Sequence, residues 1–167
     1  MHSHAPITPG ELLAVLDSLG IVYTRHCHPP MPTVAAAKRY RGSIPGAHTK
    51  NLFLRDSKKN NFLLVTAEDQ AIDLKAIAPR MGARRLSFAS PDRLMQYLGV
   101  VAGAVTPFGL INDRAHAVQL VFDSHLSKAE YINCHPLTCE ETLTIAVLDL
   151  HRFFAHTGHA PKLITLV

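Results

Sequence analysis

Leucines at helical spacing between Leu12 and Leu19 predict a helix near the start of the chain. Thr8 fits the N-cap of this helix, Pro9 its first turn and Glu11 the returning side chain of a capping box. Further helices are predicted over residues 33–40, 73–81, 90–98 and 149–156, each followed by a glycine within two residues. Helices are therefore distributed along the whole chain.

Short apolar runs between these helices predict strands. The runs 52–54 and 62–66 flank a polar segment, 56–61, and predict a hairpin with a six-residue loop. The other predicted strands cover residues 21–26, 84–88, 117–123, 131–134, 142–147 and 162–166. The placement of proline and glycine in 106–109 predicts a turn. Interspersed helices, strands and hairpins indicate an α+β fold: a mixed sheet with flanking helices, in one domain over residues 1–167.

Composition narrows the class of protein. The chain has 167 residues, of which 47% are apolar and 18% charged, as in globular proteins with a sizeable core. No apolar run approaches the roughly 20 residues of a membrane span, and no secretory signal is evident, so we expect no membrane partner. Three cysteines without a disulfide spacing favour a cytoplasmic location. The net charge of +4 permits a polyanionic partner without establishing one.

Lys50 is the first residue whose position suggests chemistry. It precedes Asn51 at the start of a strand that is otherwise apolar. A buried ammonium without a partner is costly, so Lys50 must reach water, pair with an acid or bind an anionic ligand. A lysine that extends its ammonium to the surface remains the alternative from this segment alone.

Histidine and cysteine residues suggest other sites that the spacing does not favour. His26 and His28 share one face of a predicted strand, but no second cluster has matching spacing, so we expect no metal. Cys134 beside His135 is interpreted as an inert core thiol rather than a nucleophile. Three histidines near the last helix are expected at the surface or as partners of its C-terminus: His151, His156 and His159.

Four segments in one order resemble a known family. They are Lys50-Asn51, the small residues leading into Thr106-Pro107-Phe108-Gly109, the turn Asn133-Cys134-His135-Pro136-Leu137, and Gly158-His159-Ala160-Pro161. Together they resemble the YbaK and prolyl-tRNA synthetase-associated editing superfamily over nearly the whole chain. Within it the chain is most similar to the freestanding ProXp-ala (PrdX) group, which hydrolyses alanine mischarged on proline tRNA.

The resemblance implies a fold and a set of site residues. The implied fold is a barrel-like mixed sheet around a cavity, with helices outside. The implied catalytic residues are Lys50, Gly103 and His135. The residues implied to bind the aminoacyl group are Asn51, Val105, Thr106, Pro107, Gly109 and Pro136. Many relatives carry serine where this chain has Thr106. No metal or other cofactor is implied.

The same resemblance implies an aminoacylated tRNA as partner, with a prolyl-tRNA synthetase as a further candidate. Lys38, Arg39 and Arg41 are the expected tRNA-binding residues, because they precede Lys50 closely and supply positive charge. Lys50 would hold the terminal phosphate or the ester carbonyl, and backbone amides of residues 103–109 would receive the developing oxyanion. The ribose hydroxyl beside the ester would help position the water. His135 is the candidate proton carrier, with a structural turn histidine as its alternative.

Two other functions stay open. One is a deacylase of the same fold for another mischarged tRNA, carrying cysteine or serine. The other is a non-catalytic module that binds tRNA or a synthetase. The volume of the aminoacyl pocket separates the substrates, because a cavity that fits one methyl group favours alanine.

Overall fold

The computed structural model describes residues 5–29 and 34–166, and its strands form one mixed sheet flanked by helices. The helices are α1 (Pro9–Ser18), α2 (Val34–Gly42), α3 (Leu74–Ile77), α4 (Pro91–Leu98) and α5 (Val147–Thr157). The strands are β1 (Tyr23–Cys27), β2 (Ala47–Arg55), β3 (Asn61–Ala67), β4 (Ser87–Phe88), β5 (Val118–Asp123), β6 (Tyr131–Cys134), β7 (Glu141–Ala146) and β8 (Lys162–Ile164). Three 3-10 segments cover Pro79–Met81, Pro107–Asn112 and Leu126–Lys128. This architecture confirms the predicted mixed fold.

The order of strands in the sheet is β1-β7-β6-β2-β3-β5-β8, and β4 pairs with β2. Strand β6 is parallel to β2, β3 to β5, and β5 to β8, while the remaining pairs are antiparallel. Among the described strands the path begins at β1 and ends at β8, and no pair joins those two edges. Within the same residues no helix has both the length and the apolar character of a membrane span.

Strand β2 connects the two halves of the sheet. Its first residues, Ala47 and His48, pair with β6, whereas its last residues, Leu54 and Arg55, pair with β4. Strand β3 occupies the opposite edge of β2 from Thr49 onward. Between its contacts with β6 and β4, β2 therefore has no neighbouring strand on this edge among the described residues. The sheet opens at this point, beside residues 49–53.

Apolar side chains fill both faces of the sheet. On β2, Phe53 belongs to the larger cluster with α1, α4 and α5, whereas Leu54 belongs to a smaller one with α3. Strand β3 is buried from Asn61 to Thr66, as expected for a central strand covered on both sides. Successive side chains on a strand point to opposite faces. Phe53 and Leu54 therefore show to which face each of the remaining side chains on β2 points.

Several predicted boundaries differ for local reasons. The helix predicted over 73–81 is divided, because Pro79 has no N–H to continue α3 and starts a 3-10 segment. The strand predicted over 84–88 is reduced to Ser87–Phe88, because Arg85 has a φ of 55°, which an extended strand cannot adopt. The predicted hairpin is confirmed, with a loop of residues 56–60.

Helix starts were predicted from side-chain caps, with mixed results. The capping box of Thr8 and Glu11 is confirmed. The start predicted at Asp149 is wrong, because α5 begins at Val147, whose N–H donates to the carbonyl of Glu130 instead of to a side-chain cap. The predicted cap Thr33 lies outside the described residues. The predicted turn at 106–109 continues as the 3-10 segment Pro107–Asn112.

Candidate active site

A small pocket lies where β2 and β6 separate. Its volume is about 30 Å³, close to that of one water-sized group. The side chains around it come from α2, β2, β6 and β7. The lining residues are Arg41, His48, Thr49, Asn51, Asn133, Cys134, His135 and Thr142. The structure thus brings together three of the predicted site residues, Arg41, Asn51 and His135.

Buried hydrogen bonds of Asn133 hold the rim of this pocket. Its side-chain amide donates to the carbonyls of Pro45 (3.1 Å) and Ala47 (3.4 Å), and its Oδ1 accepts from the hydroxyl of Thr144 at 2.5 Å. Gly46 has a φ of 102°, and a Cβ there would lie 3.0 Å from Asn133 Nδ2. The loop before β2 is therefore positioned by one asparagine and requires a glycine.

His135 presents one ring nitrogen to the pocket. Its Nδ1 lies 2.7 Å from the carbonyl oxygen of Glu141, which can only accept, so Nδ1 carries the proton. Nε2 makes no hydrogen bond within residues 5–29 and 34–166, and in the neutral ring it is an acceptor. Burial lowers the pKa of His135 below its ordinary value of 6.5; the bond to Glu141 opposes this, while the charges of His28 and Arg41 add to it. His135 is therefore a neutral base at physiological pH.

The predicted turn at residues 106–109 makes a hydrogen bond to the backbone of His135. Thr106 is fully buried, and its hydroxyl donates to the backbone carbonyl of His135 at 2.6 Å. Backbone N–H groups at Ala104, Phe108 and Gly109 are used within the turn. These three amides are therefore not available to an oxyanion in this conformation. The six site residues Gly103, Val105, Thr106, Pro107, Gly109 and Pro136 do not line the described pocket.

The two glycines of this segment have different surroundings. A Cβ on Gly109 would lie 3.0 Å from Leu98 Cβ and 3.1 Å from the Leu98 carbonyl, so this glycine permits close packing of the turn on α4. Gly103 is exposed, and its φ of 90° is typical of glycine. Val105 is half-buried, whereas Pro107 and Pro136 are buried. Residues 103–109 therefore form the turn from which the hydroxyl of Thr106 bonds the backbone of His135.

Lys50 extends to the other face of β2. Because side chains alternate, Thr49 and Asn51 face the pocket while Lys50 does not line it. Its Nζ donates to the backbone carbonyl of Gln70 at 2.5 Å. None of the salt bridges in the described parts of the chain includes Lys50. Its charge therefore remains without a carboxylate partner there.

The cations of α2 have two kinds of surroundings. Lys38 and Arg39 are exposed to solvent. Arg41 is half-buried against the pocket, and one terminal nitrogen of its guanidinium lies 2.5 Å from a carboxylate oxygen of Glu68. Arg41 thus belongs to the pocket wall as well as to the positive surface.

Of the other side chains considered for chemistry, Cys134 is buried, and His26 and His28 are each hydrogen-bonded. Burial raises the pKa of Cys134 to about 12, so its thiol stays protonated and unreactive. His26 bonds the hydroxyl of Thr144, and His28 bonds the carbonyl of Pro29. Among residues 5–29 and 34–166 no group of three or more His, Cys, Asp or Glu side chains could hold a metal ion.

Sequence reasoning missed four residues of the pocket wall: His48, Thr49, Asn133 and Thr142. For Thr49 a signal existed, because it shares a strand face with Asn51. The others depend on the pairing of β6 with β2 and with β7, in which Asn133 is opposite His48 on one side and Thr144 on the other. Such pairing between distant segments leaves no local mark in a sequence.

Of the two positions predicted for His159, the surface is wrong, and contact with the end of the last helix is what the structure shows. Its side chain is buried, and Nε2 lies 2.9 Å from a carboxylate oxygen of Asp113. Nδ1 lies 2.9 Å from the hydroxyl of Thr157. Asp113 also accepts the N–H groups of Ala117 and Val118, at 3.0 and 2.8 Å. This second cluster joins the end of the 3-10 segment to the end of α5.

A comparison of the chain with models of protein families identifies its family. The model of the aminoacyl-tRNA editing domain matches residues 28–153, which include every residue of the pocket wall. The chain belongs to the aminoacyl-tRNA editing domain family. The predicted resemblance is thereby confirmed at the level of the family.

Individual relatives span the same length. The prolyl-tRNA editing protein ProX of Acetoanaerobium sticklandii is 38% identical, over 93% of this chain and 95% of the relative. The prolyl-tRNA synthetase associated domain-containing protein 1 of Danio rerio is 35% identical, over 93% and 85%. A crystal structure of a candidate trans-editing enzyme for prolyl tRNA synthetase has the same fold, with a TM-score of 0.71, 19% identity and 98% coverage of both chains.

Proposed function

We propose that this editing domain is a freestanding deacylase that hydrolyses the ester of alanine mischarged on proline tRNA. The observation that carries the proposal is that the neutral His135 lines a small pocket. Its Nδ1 is bonded, and its Nε2 has no hydrogen-bond partner among the described residues. Relatives whose names refer to prolyl-tRNA editing support the choice of tRNA. A cytoplasmic location and contact with a prolyl-tRNA synthetase belong to the same proposal.

The size of the pocket supports alanine as the amino acid. A synthetase site built for proline rejects alanine weakly, since missing methylenes give only about 1–3 kcal/mol of discrimination. A second site that is too small for proline completes the selection. The pocket is small, about 30 Å³, which supports alanine with its single methyl group over the larger pyrrolidine ring of proline. Its walls contain the polar groups of Thr49, Asn51 and Thr142, which is why serine and cysteine remain competing substrates.

The proposed reaction is a water attack assisted by His135. Nε2 accepts a proton as the water oxygen bonds to the ester carbonyl carbon. The bond from that carbon to the ribose oxygen then breaks, and the proton passes to this oxygen. General base assistance of this kind contributes about 10²–10⁴-fold. Lys50 lies on the other face of β2 and has no carboxylate partner among the described residues, and it is proposed to hold the terminal phosphate outside the pocket.

Positive surface supports a tRNA partner. Lys38 and Arg39 extend from α2 beside the pocket. A second basic region is a groove of about 540 Å³ whose walls include Lys75, Arg84 and Arg85. It adjoins the β2–β3 turn, where the N–H of Ser57 donates to the carbonyl of Arg84, on the order of 20 Å along β2 from the pocket. Phosphate contacts at both places would weaken binding as salt rises.

The test is deacylation of proline tRNA carrying alanine, cysteine, serine or proline, by the wild type and by Lys50→Ala. We expect fast loss of alanine, slow loss of proline and a large reduction in the variant. Arg152→Lys is the control, because Arg152 lies in an exposed ion pair on α5. Fast release of cysteine or serine alone would keep the enzyme and change its substrate. Binding of the tRNA without cleavage of any ester would contradict the enzyme and leave a binding module.

A further inference from the structure

Two residues that line the pocket each have a buried side-chain atom without a hydrogen-bond partner among the described residues. Within the described parts of the chain, three buried side-chain polar atoms have none: Arg41 Nε, Asn51 Oδ1 and Arg93 Nε. Two of the three belong to residues that line the same small pocket. An unsatisfied buried polar atom costs about 1–3 kcal/mol, so two such atoms on side chains that line one pocket point to a ligand that supplies the missing partners.

The orientation of the Asn51 amide follows from its neighbours. The hydroxyl of Thr49 donates its one proton to the backbone carbonyl of Asn133, at 2.9 Å. That hydroxyl can then only accept from Asn51, whose Nδ2 lies 3.4 Å away. Exchange of the amide atoms would place two acceptors together. Asn51 therefore directs Oδ1, an acceptor, away from Thr49.

Arg41 supplies the complementary group. Its ion pair with Glu68 uses a terminal nitrogen of the guanidinium and leaves the Nε–H, a donor, without a partner in the part of the chain that the structure describes. The planar guanidinium is fixed at one end by the carboxylate, so Nε is held in place at the other. The pocket wall thus has one unsatisfied acceptor and one unsatisfied donor.

An α-amino ester has the matching pair of groups. Its ammonium donates hydrogen bonds and its carbonyl oxygen accepts them, on adjacent carbon atoms. We propose that Asn51 Oδ1 binds the α-ammonium of the aminoacyl group and that Arg41 Nε–H binds the ester carbonyl oxygen. This inference rests on the proposed function and assigns which atoms of the substrate each residue contacts.

The two contacts have different roles in hydrolysis. The ammonium does not change during the reaction, so Asn51 positions and selects the substrate. The carbonyl oxygen becomes negative when the water oxygen bonds to the carbonyl carbon, and it loses that charge when the bond to the ribose oxygen breaks. Arg41 Nε–H is therefore strongest as a donor in the transition state, which makes Arg41 a catalytic residue.

The role of Asn51 is tested with proline tRNA carrying alanyl or isobutyryl esters. Isobutyrate has a methyl group where alanine has its ammonium, so size is preserved while the donor is lost. Each rate is divided by the uncatalysed rate of the same ester. We expect the wild-type enhancement to be about 10- to 100-fold lower for isobutyryl. Asn51→Leu should lower the alanyl enhancement and remove the difference, and Asn51→Asp should keep it.

Each result of this test has one meaning. Equal wild-type enhancements for the two esters would contradict the ammonium contact while leaving the deacylase intact. The same contradiction follows if Asn51→Leu lowers both enhancements equally. Failure of the wild type to cleave alanyl-tRNA would instead remove the proposed function, and this inference with it. Thermal unfolding of each variant identifies losses that arise from misfolding.

The role of Arg41 is tested by Arg41→Lys, which keeps the charge and removes Nε. We expect kcat to fall by about 10²–10³-fold, with little change in the salt dependence of KM. Arg152→Lys is the matched control, since Arg152 also pairs with a carboxylate, Asp149, and should retain wild-type kcat. If Arg41 contacts only tRNA phosphate, Arg41→Lys will leave kcat unchanged and alter KM and its salt dependence. That result would overturn the carbonyl contact.

Discussion

Two histidines that are largely removed from solvent, His135 and His159, have opposite surroundings. The ring of His135 bonds the carbonyl of Glu141 in β7. The ring of His159 bonds Asp113, which follows the 3-10 segment Pro107–Asn112. Both belong to clusters that join distant segments. His159 uses both ring nitrogens, one with Thr157 and one with Asp113, and Asp113 is satisfied by two further backbone amides. Among the residues that the structure describes, His135 uses Nδ1 alone, and two residues that line its pocket each have an unsatisfied buried atom.

This difference in hydrogen bonding distinguishes a cluster that stabilises the fold from a cluster that can bind a ligand. A buried polar network in which every group has a partner stabilises one conformation and has no capacity left for a ligand. A cluster with unsatisfied groups carries a cost that a substrate can relieve. The His159 cluster therefore serves the fold, and the His135 cluster is the candidate site of reaction. Each prediction below concerns one of the two histidines or a residue that bonds it.

The largest effect is expected from removing the base. His135→Gln keeps a polar side chain of similar length but no group that takes up a proton at neutral pH, so single-turnover deacylation of alanyl-tRNA should fall about 10²–10⁴-fold. Its free energy of unfolding should change by no more than about 1.5 kcal/mol, the value of one hydrogen bond. A stable variant with wild-type rates would assign His135 to the turn alone.

The opposite pattern is expected at the other histidine. His159→Gln removes the imidazole that bonds the buried carboxylate of Asp113, which costs about 1–3 kcal/mol. Urea unfolding should show this loss, while the folded fraction keeps its rate. The contribution of Asp113 depends on pH, because burial raises its pKa but the bonds from His159 and two amides hold it below 3.8. That stability is present above pH 3.8 and is lost as the pH falls through the lowered value.

A smaller effect is expected where the turn supports His135. Thr106→Val preserves the shape of the side chain and removes the donor to the His135 carbonyl. The unsatisfied carbonyl should lower the free energy of unfolding by about 1–3 kcal/mol. Displacement of His135 should also lower kcat several-fold, and Thr106→Ser should restore both. If Thr106→Val retained wild-type stability and rate, the turn would not support the site.

The last prediction concerns pH, where no change is expected across the neutral range. Because burial lowers the pKa of His135 below 6.5, the neutral base is present throughout the neutral range. After correction for uncatalysed hydrolysis, the rate should be constant from about pH 7.5 to 6.5. It should then fall by up to about tenfold per pH unit below the lowered pKa, as the ring takes up a proton. A rate that rises through pH 7 to 8 would indicate a different base.

The sequence predicted most elements but only part of the site. Local signals located the capping box at Thr8 and the hairpin of β2 and β3, because caps and turns depend on neighbouring residues. The resemblance directed attention to Lys50, and alternation along β2 could have shown that Asn51, not Lys50, shares a face with Thr49. Pairing of β2 with β6 was beyond local signals, since His48 and Asn133 are far apart in the chain.

The burial of His159 was missed for a similar reason. Its partner Asp113 is 46 residues away, and nothing between them marks the contact. A histidine after a helix is usually exposed, and only the folded chain shows that the carboxylate is near. The unsatisfied atoms of Arg41 and Asn51 are likewise properties of packing, because a sequence contains no record of which hydrogen bonds are missing.

The most direct test of the comparison is NMR of the histidine rings during titration with a non-hydrolysable analogue, 3′-alanylamido-3′-deoxyadenosine. An amide replaces the ester, so the ligand occupies the site without reacting. Binding should shift the Nε2 and ring proton signals of His135 and leave those of His159 unchanged. Shifts at His159 with no change at His135 would contradict the account, because the analogue would then bind at the cluster assigned to the fold.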